Sequence, residues 1–282
     1  MMNLPVLNVS ALLREHGLRA DKSLGQNFLQ DPSILEMIVQ AAEIQFTDTL
    51  LEIGPGLGSL TRYLALAAKK VVCLELDHDL IPVLNSVLAT YSNVRVIEGD
   101  ILNVSPAAIM DSSDYLVVAN VPYYITSAIF RHLLGSVPRP KRIVLTIQKE
   151  VAERICALPG DMSLLALSVQ VFGHPRIAGI IPAGAFYPAP KVDSAVIRVD
   201  LEAESLIPEA LLGPFFLMAK AGFSQKRKTL RNSLSAGLRI SATEAVLLLE
   251  KSDVDPMRRA ETLSINEWAE LTRRYVLHNT YM

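Results

Sequence analysis

The stretch "LLEIGPGLGSLT", residues 50–61, places three glycines directly after an apolar run. Gly54, Gly56 and Gly58 are followed by an amphipathic stretch at 58–68. Glycine lets a backbone turn tightly and approach a ligand closely. The pattern therefore predicts a strand, a glycine-rich turn and a helix, with a ligand held at the turn. An ordinary tight turn without a ligand is the alternative that this stretch alone leaves open.

Seven apolar, strand-like runs occur along the chain, and amphipathic stretches separate the early ones. The runs are TLLEIG (49–54), VVCLELD (71–77), VRVIEGD (94–100), YLVVANV (115–121), RIVLTIQ (142–148), LSVQVFG (167–173) and AVIRVDL (195–201). The amphipathic stretches are 32–45, 58–68, 79–91 and 126–135. Asp31 and Asp79 stand near two helix starts, where a carboxylate commonly caps the first turn. Apolar strands alternating with helices predict an α/β fold with a mostly parallel sheet covered on both faces.

The character of the sequence changes after about Glu202. "EAESLIP" (202–208) resembles a linker, and strand-like patterns give way to helical ones such as "EALLGPFFLMAKAGF" and "INEWAELTRRYVL". We therefore predict two domains, 1–201 with the sheet and 202–282 with helices only.

The bulk composition is that of a folded soluble protein. Of the 282 residues, 50% are apolar and 20% are charged, with a formal net charge of −2. Lys69 and Lys70 interrupt the longest apolar candidate for a membrane span, and the N-terminus lacks the basic start and apolar stretch of a signal peptide. These features favour a cytoplasmic protein that does not bind membranes.

Neither cysteine nor histidine usage indicates a metal or a disulfide framework. Cys73 and Cys156 are far apart in apolar surroundings, which is typical of buried thiols, and the five histidines show no ligand spacing. We expect a reducing environment and no metal.

Basic residues concentrate in one short segment of the second domain. Residues 201–282 carry 11 Lys and Arg against 10 Asp and Glu, and five of the 11 fall within "KAGFSQKRKTLR" (220–231). The five are Lys220, Lys226, Arg227, Lys228 and Arg231. A solvated helix face explains such a run, and so does a surface that contacts phosphates.

Polar residues stand at the ends of successive predicted strands. After Gly54 come Glu75, Asp100 and Asn120, at the ends of the second, third and fourth runs. Ligands of open α/β sheets bind at the carboxyl ends of strands, and an acidic residue after the second strand commonly accepts ribose hydroxyls. The series predicts a ligand that contains adenosine. Pro122 ends the fourth strand because it lacks an N–H, so "NVPY" is also readable as a simple turn.

The glycine spacing is G-x-G-x-G, because position 59 is Ser, and it differs from the G-x-G-x-x-G of dinucleotide binders. A nicotinamide dehydrogenase would share the glycine-rich turn and Glu75. Hydride transfer does not require an Asn-x-Pro-Tyr motif, so the presence of this motif at 120–123 argues against a dehydrogenase.

The ordered series "LEIGPGLGSLT", "CLELD", "EGDIL" and "NVPYYIT" resembles the Rossmann-like methyltransferases that use S-adenosylmethionine. "KSLGQNFLQD" (22–31) and "FYPAPKVDSAV" (186–196) are similar to motifs of the ribosomal RNA adenine N6,N6-dimethyltransferase family. "FSQKRKTLRNSL" (223–234) resembles a motif of its small-subunit branch. The resemblance extends from about residue 10 to the C-terminus, with minor departures at Val121 and Ala189. It implies a seven-stranded Rossmann-like domain and a small helical domain.

The resemblance also implies roles for individual residues. The residues implied to bind S-adenosylmethionine are Asn27, Leu29, Gly54, Glu75, Asp100 and Asn120, with Gln26 and Glu52 as weaker candidates. The residues implied to take part in catalysis are Asn120, Pro122, Tyr123 and Phe186. Tyr123 would stack on the adenine, and Phe186 would cover its other face. For RNA contact, the local cluster of positive charge, rather than the resemblance, indicates Lys226, Arg227, Lys228 and Arg231. For Phe186 the alternative is an aromatic packed on the sheet, and for "GQNFL" it is a plain loop.

The implied reaction is N6,N6-dimethylation of two adjacent adenosines in the 3′-terminal hairpin of 16S rRNA, within an immature small ribosomal subunit. A large-subunit rRNA dimethylase of the resistance type shares nearly all these motifs, and "FSQKRKTLRNSL" argues against it. A non-catalytic nucleic-acid-binding homologue is a third possibility, against which intact Asn120, Pro122 and Tyr123 argue. We expect a monomer.

Overall fold

The computed structural model describes the backbone of residues 4–280 and the side chains of residues 4–277. The outermost residues of the two predicted domains, 1–3 and 281–282, lie outside that range. The strands are β1 (Phe28–Leu29), β2 (Thr49–Ile53), β3 (Lys70–Glu75), β4 (Val94–Glu98), β5 (Leu116–Asn120), β6 (Arg142–Gln148), β7 (Gly173–Ile181), β8 (Phe186–Tyr187) and β9 (Ser194–Leu201). Seven of them form one sheet in the order β4-β3-β2-β5-β6-β9-β7.

The predicted mostly parallel, seven-stranded α/β sheet is confirmed. Strands β4, β3, β2, β5 and β6 run parallel to their neighbours, and β9 pairs antiparallel with β6. The central strands β2 and β5 are almost entirely buried, as expected where helices cover both faces of a sheet. The remaining two strands, β1 and β8, form a separate antiparallel pair that joins Phe28 to Tyr187 and Leu29 to Phe186.

Helices connect the strands and make up the C-terminal part of the chain. They are α1 (Val9–Glu15), α2 (Pro32–Ala42), α3 (Ser59–Ala67), α4 (Ile81–Val87), α5 (Pro106–Ile109), α6 (Thr126–Leu134), α7 (Lys149–Ile155), α8 (Leu164–Gln170), α9 (Glu209–Phe223), α10 (Leu230–Leu238), α11 (Ala242–Lys251) and α12 (Ile265–Thr280). Short 3₁₀ turns lie at Tyr123–Ile125, Ala183–Ala185 and Ala260–Thr262. Within the described residues no helix is both long and apolar enough to cross a membrane.

One of the seven predicted strands is wrong. The run at 167–173 falls largely in α8, and the seventh strand of the sheet begins only at Gly173. The side chain of Ser163 caps α8 by accepting a hydrogen bond from the backbone N–H of Ala166, which starts a helix before the apolar run. The apolar residues of this run are compatible with a helix or a strand, and the cap at the helix start favours the helix.

The two predicted capping aspartates have different outcomes. Asp31 accepts from the backbone N–H of Ser33 at the start of α2, as predicted. Asp79 does not cap α4, which begins two residues later at Ile81 and has no side-chain cap.

The chain divides into two compact units. The first comprises Met1–Ala152 and Pro175–Leu201, and the second comprises Glu153–His174 and Glu202–Met282. The predicted single boundary between 201 and 202 therefore differs from the structure, because an excursion of the chain at 153–174 belongs with the C-terminal helices. α8 lies in that excursion and contacts α9, which explains why its apolar residues are helical rather than part of the sheet.

The C-terminal unit is a close-packed helical assembly. A Cβ atom placed on Gly222 of α9 would lie 2.4 Å from the ring of the buried Trp268, and one on Gly237 of α10 would lie 2.6 Å from Ala221. These glycines let α9 approach α10 and α12 more closely than any residue with a side chain would allow.

Two arginines of the sheet fasten the C-terminal end of α2. The guanidinium of Arg198 donates to the carbonyl of Ala41 at 2.9 Å, and that of Arg142 donates to the carbonyl of Ala42 at 2.5 Å. Both also pair with Glu43, the left-handed residue that ends the helix. The last carbonyls of α2 are thus satisfied by cations, which the helix dipole favours at this end.

Replacing Arg198 should test how much this anchor contributes. Its side chain is only 6% exposed, and it also pairs with Asp200 at 2.7 Å. Arg198→Ala would leave Asp200 and the helix carbonyls short of a partner, so we expect a loss of about 3 kcal/mol in the free energy of unfolding, measured by urea denaturation.

Arg176→Ala is the matched control, because Arg176 pairs with the same Glu43 at 3.6 Å but is 52% exposed. An exposed ion pair contributes at most about 1 kcal/mol. Equal losses for the two variants would show that the burial of Arg198 is not what matters.

Candidate active site

A cleft of the first unit opens at the carboxyl ends of the sheet strands. Its walls come from five segments, and together they surround about 1000 Å³ of space, part of it open to solvent. The segments are Leu24–Leu29, the turn Glu52–Leu57, the end of β3 at Leu74–Leu76, Gly99–Ile101, and the loop Asn120–Ile125. The predicted edge of polar strand ends is therefore a single cleft.

The glycine-rich turn after β2 forms the floor of the cleft. Gly54 has φ +66°, and a Cβ atom on it would meet nothing within 4 Å, so its backbone borders open space. Gly56 has φ +60°, and a Cβ atom there would lie 2.9 Å from the ring of Phe28. Positive φ favours glycine at both positions. The turn thus presents bare backbone to the cleft on one side and supports the β1 segment on the other.

Glu75 stands at the end of β3 with both carboxylate oxygens already hydrogen-bonded. One accepts from the backbone N–H of Gly56 and the other from that of Asp77, each at 2.9 Å. Burial raises the pKa of Glu75, and the two backbone hydrogen bonds oppose that rise. Each oxygen keeps a second lone pair, so a fixed carboxylate with spare acceptor capacity faces the cleft.

Asp100 lines the cleft on the neighbouring segment after β4. Its oxygens accept from the backbone N–H of Leu102 and from the side-chain amide of Asn103, both at 2.9 Å. These contacts hold the carboxylate in one orientation and leave it able to accept from an amine.

The N-terminal segment at 24–29 is tied to the sheet by side chains. The Gln26 amide donates to Asp77 at 2.6 Å, while its oxygen accepts from the backbone N–H of Asp21. The Asn27 side chain donates to the carbonyl of Gly25 at 3.0 Å. Asn27 and Leu29, both predicted for cofactor contact, line the cleft together with Gln26.

The side chain of Asn120 is held in one of its two possible orientations. Its Nδ2 donates to the backbone carbonyl of Asn27 at 2.9 Å, across 93 residues of sequence. A carbonyl accepts only from the nitrogen end of an amide, so Oδ1 must occupy the opposite side. No hydrogen bond to that Oδ1 is found among the described residues, and the residue lines the cleft. Asn120 therefore offers a directed acceptor.

The loop after Asn120 is fixed from both sides. The hydroxyl of Thr126, the first residue of α6, donates to the carbonyl of Tyr123 at 3.0 Å. Tyr124 packs on Gly25, where a Cβ atom would lie 3.2 Å from the tyrosine ring and 3.4 Å from Pro122. Pro122 and Tyr123 line the cleft as predicted.

The structure does not bring Phe186 into the cleft. Its ring is 3% exposed and packs in the core with Leu29 and Leu35. Consecutive side chains of a strand point to opposite faces, so the inward position of Phe186 leaves Tyr187 as the exposed aromatic of this segment, at 40%. The observed side chain matches the packing alternative, and the role of Phe186 over the second face of the base stays a prediction.

The four basic residues predicted for RNA contact lie in the second unit and are exposed. Lys226, Arg227 and Lys228 occupy the turn between α9 and α10, and Arg231 lies in the first turn of α10. The segment is not one continuous helix, because α9 ends at Phe223 and α10 begins at Leu230. None of the four forms an ion pair with another residue in the part of the chain that the structure describes.

Glu52 is a buried carboxyl at the back of the cleft. It is 1% exposed, lines the cleft, and accepts from the thiol of Cys73 at 3.5 Å on the neighbouring strand. Burial raises its pKa to about 8. At neutral pH the cleft therefore has a protonated carboxyl in its wall rather than a second carboxylate beside Glu75.

The structure offers one cluster with metal-ligand spacing among the described residues. Side-chain ligand atoms of Asp77, His78 and Asp79 lie within 4.8 Å of one another. His78 and Asp79 are exposed, and Asp77 is already bonded to Gln26 and to the backbone N–H of Asp79. Exposed acidic groups of this kind are common without an ion, and the expectation of no metal stays a prediction.

The cleft suits an S-adenosyl nucleoside. Open space at Gly54 admits a ligand against the backbone, Glu75 can accept from ribose hydroxyls, and Asp100 can accept from an exocyclic amine. The strand-end placement of these groups is the arrangement by which open α/β sheets bind nucleotides. Together the fold and the cleft define a Rossmann-like methyltransferase, a class whose cofactor is S-adenosylmethionine.

The chain belongs to the ribosomal RNA adenine dimethylase family. That family's model matches residues 17–273, which includes every segment of the cleft and most of the helical unit.

Individual relatives agree with this assignment. The chain is 43% identical over 265 residues to the ribosomal RNA small subunit methyltransferase A of Dehalococcoides mccartyi strain 195, covering 94% of this chain and 91% of the relative. It is 42% identical over 270 residues to the protein of the same name from Alkaliphilus metalliredigens, covering 93% and 94%.

Solved structures show the same fold. A dimethyladenosine transferase from Plasmodium falciparum superposes with a TM-score of 0.78 at 27% identity, covering 89% of this chain and 98% of that one. The 23S rRNA methyltransferase ErmE superposes with a TM-score of 0.70 at 28% identity, covering 88% and 99%.

Sequence reasoning assigned no role to Ser194, whose hydroxyl lies 2.6 Å from that of Tyr123. Ser194 opens the run "SAVI", where a hydroxyl next to three apolar residues is the only signal. Its partner could not be predicted, since it comes from a loop 71 residues away.

Glu75→Gln should weaken S-adenosylmethionine binding by about 1.5–3 kcal/mol, measured by calorimetry, because hydrogen bonds to a charged acceptor are lost. Glu98→Gln is the matched control, since Glu98 lies beside Glu75 on β4 and is exposed. Equal affinities for wild type and Glu75→Gln would remove Glu75 from the cofactor site.

Glu52→Gln should change how stability depends on pH. The pKa of Glu52 is raised from 4.5 to about 8 in the folded chain, so folding of the wild type binds a proton between these pH values. Its free energy of unfolding should therefore fall as pH rises from about 4.5 to about 8 and then level off. Urea denaturation across this range should give a flatter profile for Glu52→Gln. Parallel profiles would contradict the raised pKa.

Proposed function

We propose that this protein dimethylates adenosines of small-subunit ribosomal RNA at N6, using S-adenosylmethionine, during assembly of the small subunit. The fixed orientation of Asn120 is the observation that supports the chemistry most directly. The curated relatives at about 43% identity carry the name small subunit methyltransferase, which supports the choice of substrate. Two adjacent adenosines in the 3′-terminal hairpin and a monomeric enzyme belong to the same proposal.

The chemical problem is that an adenine N6 amine is a poor nucleophile, because its lone pair is delocalised into the ring. An acceptor that takes an N6 hydrogen favours the pyramidal nitrogen and directs its lone pair. Asn120 Oδ1 is placed to be that acceptor, since its Nδ2 is committed to the carbonyl of Asn27. The backbone carbonyl of Val121, in the same loop, is the proposed acceptor of the second hydrogen.

When bound, S-adenosylmethionine supplies a methyl group that is electrophilic because it is attached to a sulfonium. The protein's part is to hold the base and to exclude water. Tyr123 lines the cleft beside Asn120 and offers a ring on which an unstacked adenine can stack. Each transfer would form a carbon–nitrogen bond at N6 as the methyl–sulfur bond breaks. The electron pair of the broken bond would stay on the sulfur of the departing thioether, and one N6 proton would pass to solvent. After the first transfer one hydrogen remains, so the second transfer needs only one acceptor.

The test uses small ribosomal subunits from a strain that lacks the modification and, in a parallel reaction, large subunits. The protein is incubated with them and with S-adenosylmethionine carrying a labelled methyl group, and the labelled nucleotides are mapped. We expect dimethylated adenosines in the 3′-terminal hairpin of the small-subunit RNA. Label in large-subunit RNA would favour the activity of ErmE instead, and no label in either RNA would favour a binding role without catalysis.

Asn120→Ala should leave S-adenosylmethionine affinity within a few-fold but slow methyl transfer by about two orders of magnitude or more, because its acceptor acts on the reacting nitrogen. Calorimetry gives the affinity, and a single-turnover assay at saturating cofactor gives the rate. A rate near that of the wild type would contradict the proposed role of Asn120.

The exposed basic turn of the second unit is proposed to contact the phosphate backbone. Lys226, Arg227 and Lys228 project from a turn where no described acidic side chain pairs with them. Such contacts position RNA without reading its sequence.

Replacing Lys226, Arg227 and Lys228 with Ala should weaken binding to the ribosomal particle while sparing S-adenosylmethionine binding. Each lost phosphate contact should reduce the slope of log affinity against log salt by about 0.7–0.9. Lys251→Ala, an exposed lysine at the end of α11, is the control and should leave the slope unchanged. Parallel salt dependence for the triple variant and the wild type would mean that these charges are only solvated.

A further inference from the structure

Two hydroxyl groups meet at the side of the cleft that should receive the adenine. The phenol oxygen of Tyr123 and Oγ of Ser194 lie 2.6 Å apart, and either atom can be the donor. Ser194 is fully buried as the first residue of β9, whereas Tyr123 is half-buried in the loop that follows β5. The contact joins the loop at 120–125, which lines the cleft, to the segment 186–196, of which no residue lines it.

We propose that Ser194 is a positioning residue, which fixes the ring of Tyr123 in the plane that the target adenine stacks on. The inference rests on the proposed function, since it takes Tyr123 as the stacking residue. It assigns to the "FYPAPKVDSAV" segment (186–196) a role that does not need Phe186 to leave the core.

The backbone and the ring of Tyr123 are held by different contacts. Its carbonyl accepts from Thr126, which fixes the loop but leaves two side-chain torsions free. The phenol oxygen is the far end of the side chain, so a hydrogen bond there limits both torsions at once. Ser194 is the partner found for that oxygen among the described residues.

Ser194 is a rigid anchor because of where it lies in the sheet. It pairs with Gln148 at the end of β6, and the next residues of its strand, Ala195 and Val196, are completely buried. Groups held on a buried strand are placed more accurately than groups on a loop. The loop residue thus takes its position from the sheet.

The phenol is protonated at neutral pH. Burial raises the pKa of Tyr123, and the hydrogen bond with Ser194 opposes that rise only in part. A neutral phenol can donate to Ser194 or accept from it, and a neutral ring face suits an uncharged base.

A loose ring should affect the rate of transfer more than cofactor binding. The reacting nitrogen must lie within a narrow distance and angle of the methyl group, and a displacement of about 1 Å can cost about 100-fold in rate. Tyr123 without its anchor still offers a stacking face, so the expected loss lies mainly in kcat, at about tenfold.

The experiment is a double-mutant cycle with Tyr123→Phe, Ser194→Ala and the combined variant. Each single variant should lower kcat on unmodified small subunits about tenfold, and the combined variant should lower it no further, because both changes remove the same hydrogen bond. Calorimetry should give an unchanged S-adenosylmethionine affinity for all three.

Thr146→Val is the matched control. Thr146 lies on β6 beside Val196, and its buried hydroxyl has no hydrogen-bond partner in the part of the chain that the structure describes. Removing that hydroxyl should leave kcat unchanged.

Two results would overturn the proposal. Losses in kcat that multiply in the combined variant would show that the two hydroxyls act independently. A lower melting temperature for Ser194→Ala with wild-type kcat would show a purely structural role. Failure of the wild-type protein to methylate adenosine would instead refute the proposed function, so the two failures are distinguishable.

Discussion

The site depends on one constraint, which is that parallel strands bring their carboxyl ends to the same edge of a sheet. Strands β2, β3, β4 and β5 are neighbours in the order β4-β3-β2-β5, although the residues that follow them are far apart in sequence. Gly54, Glu75, Asp100 and Asn120 meet in one cleft for this reason. A slip of one residue in the pairing would turn these side chains to the opposite face.

Within the cleft, the side chains of Glu75, Asp100 and Asn120 are hydrogen-bonded to the protein and keep further capacity for a ligand. The oxygens of Glu75 hold two backbone N–H groups, and the nitrogen of Asn120 holds a carbonyl while its oxygen stays free. Such preorganisation means that binding need not order these side chains. Side chains outside the cleft supply the remaining support, and the arginines at the end of α2 anchor the helix that follows the segment at 24–29.

Much of the fold and the cleft followed from sequence because local pattern and tertiary structure agreed there. Glycines at positive φ and polar residues at strand ends can be recognised from a single sequence. The strand prediction at 167–173 was wrong because this run packs against α9, a contact that the local sequence does not indicate. The buried position of Phe186 could not be read from the resemblance, which identifies the segment, because strand alternation decides which of its aromatics points inward. Ser194 carried almost no signal, since its partner is defined only by the folded chain.

The hydrogen bond between Asn120 and the carbonyl of Asn27 also has a consequence for how the protein ages. Hydrolysis of the Asn120 side-chain amide would produce an aspartate of nearly the same size, with an oxygen where the nitrogen donor had been. That oxygen would face the lone pairs of the Asn27 carbonyl, and repulsion would replace attraction. The residue would lose its fixed orientation while the apolar core stayed intact. Slow chemical damage at one atom would thus remove the directed acceptor from the cleft and leave the fold and the exposed basic turn of the second unit unchanged.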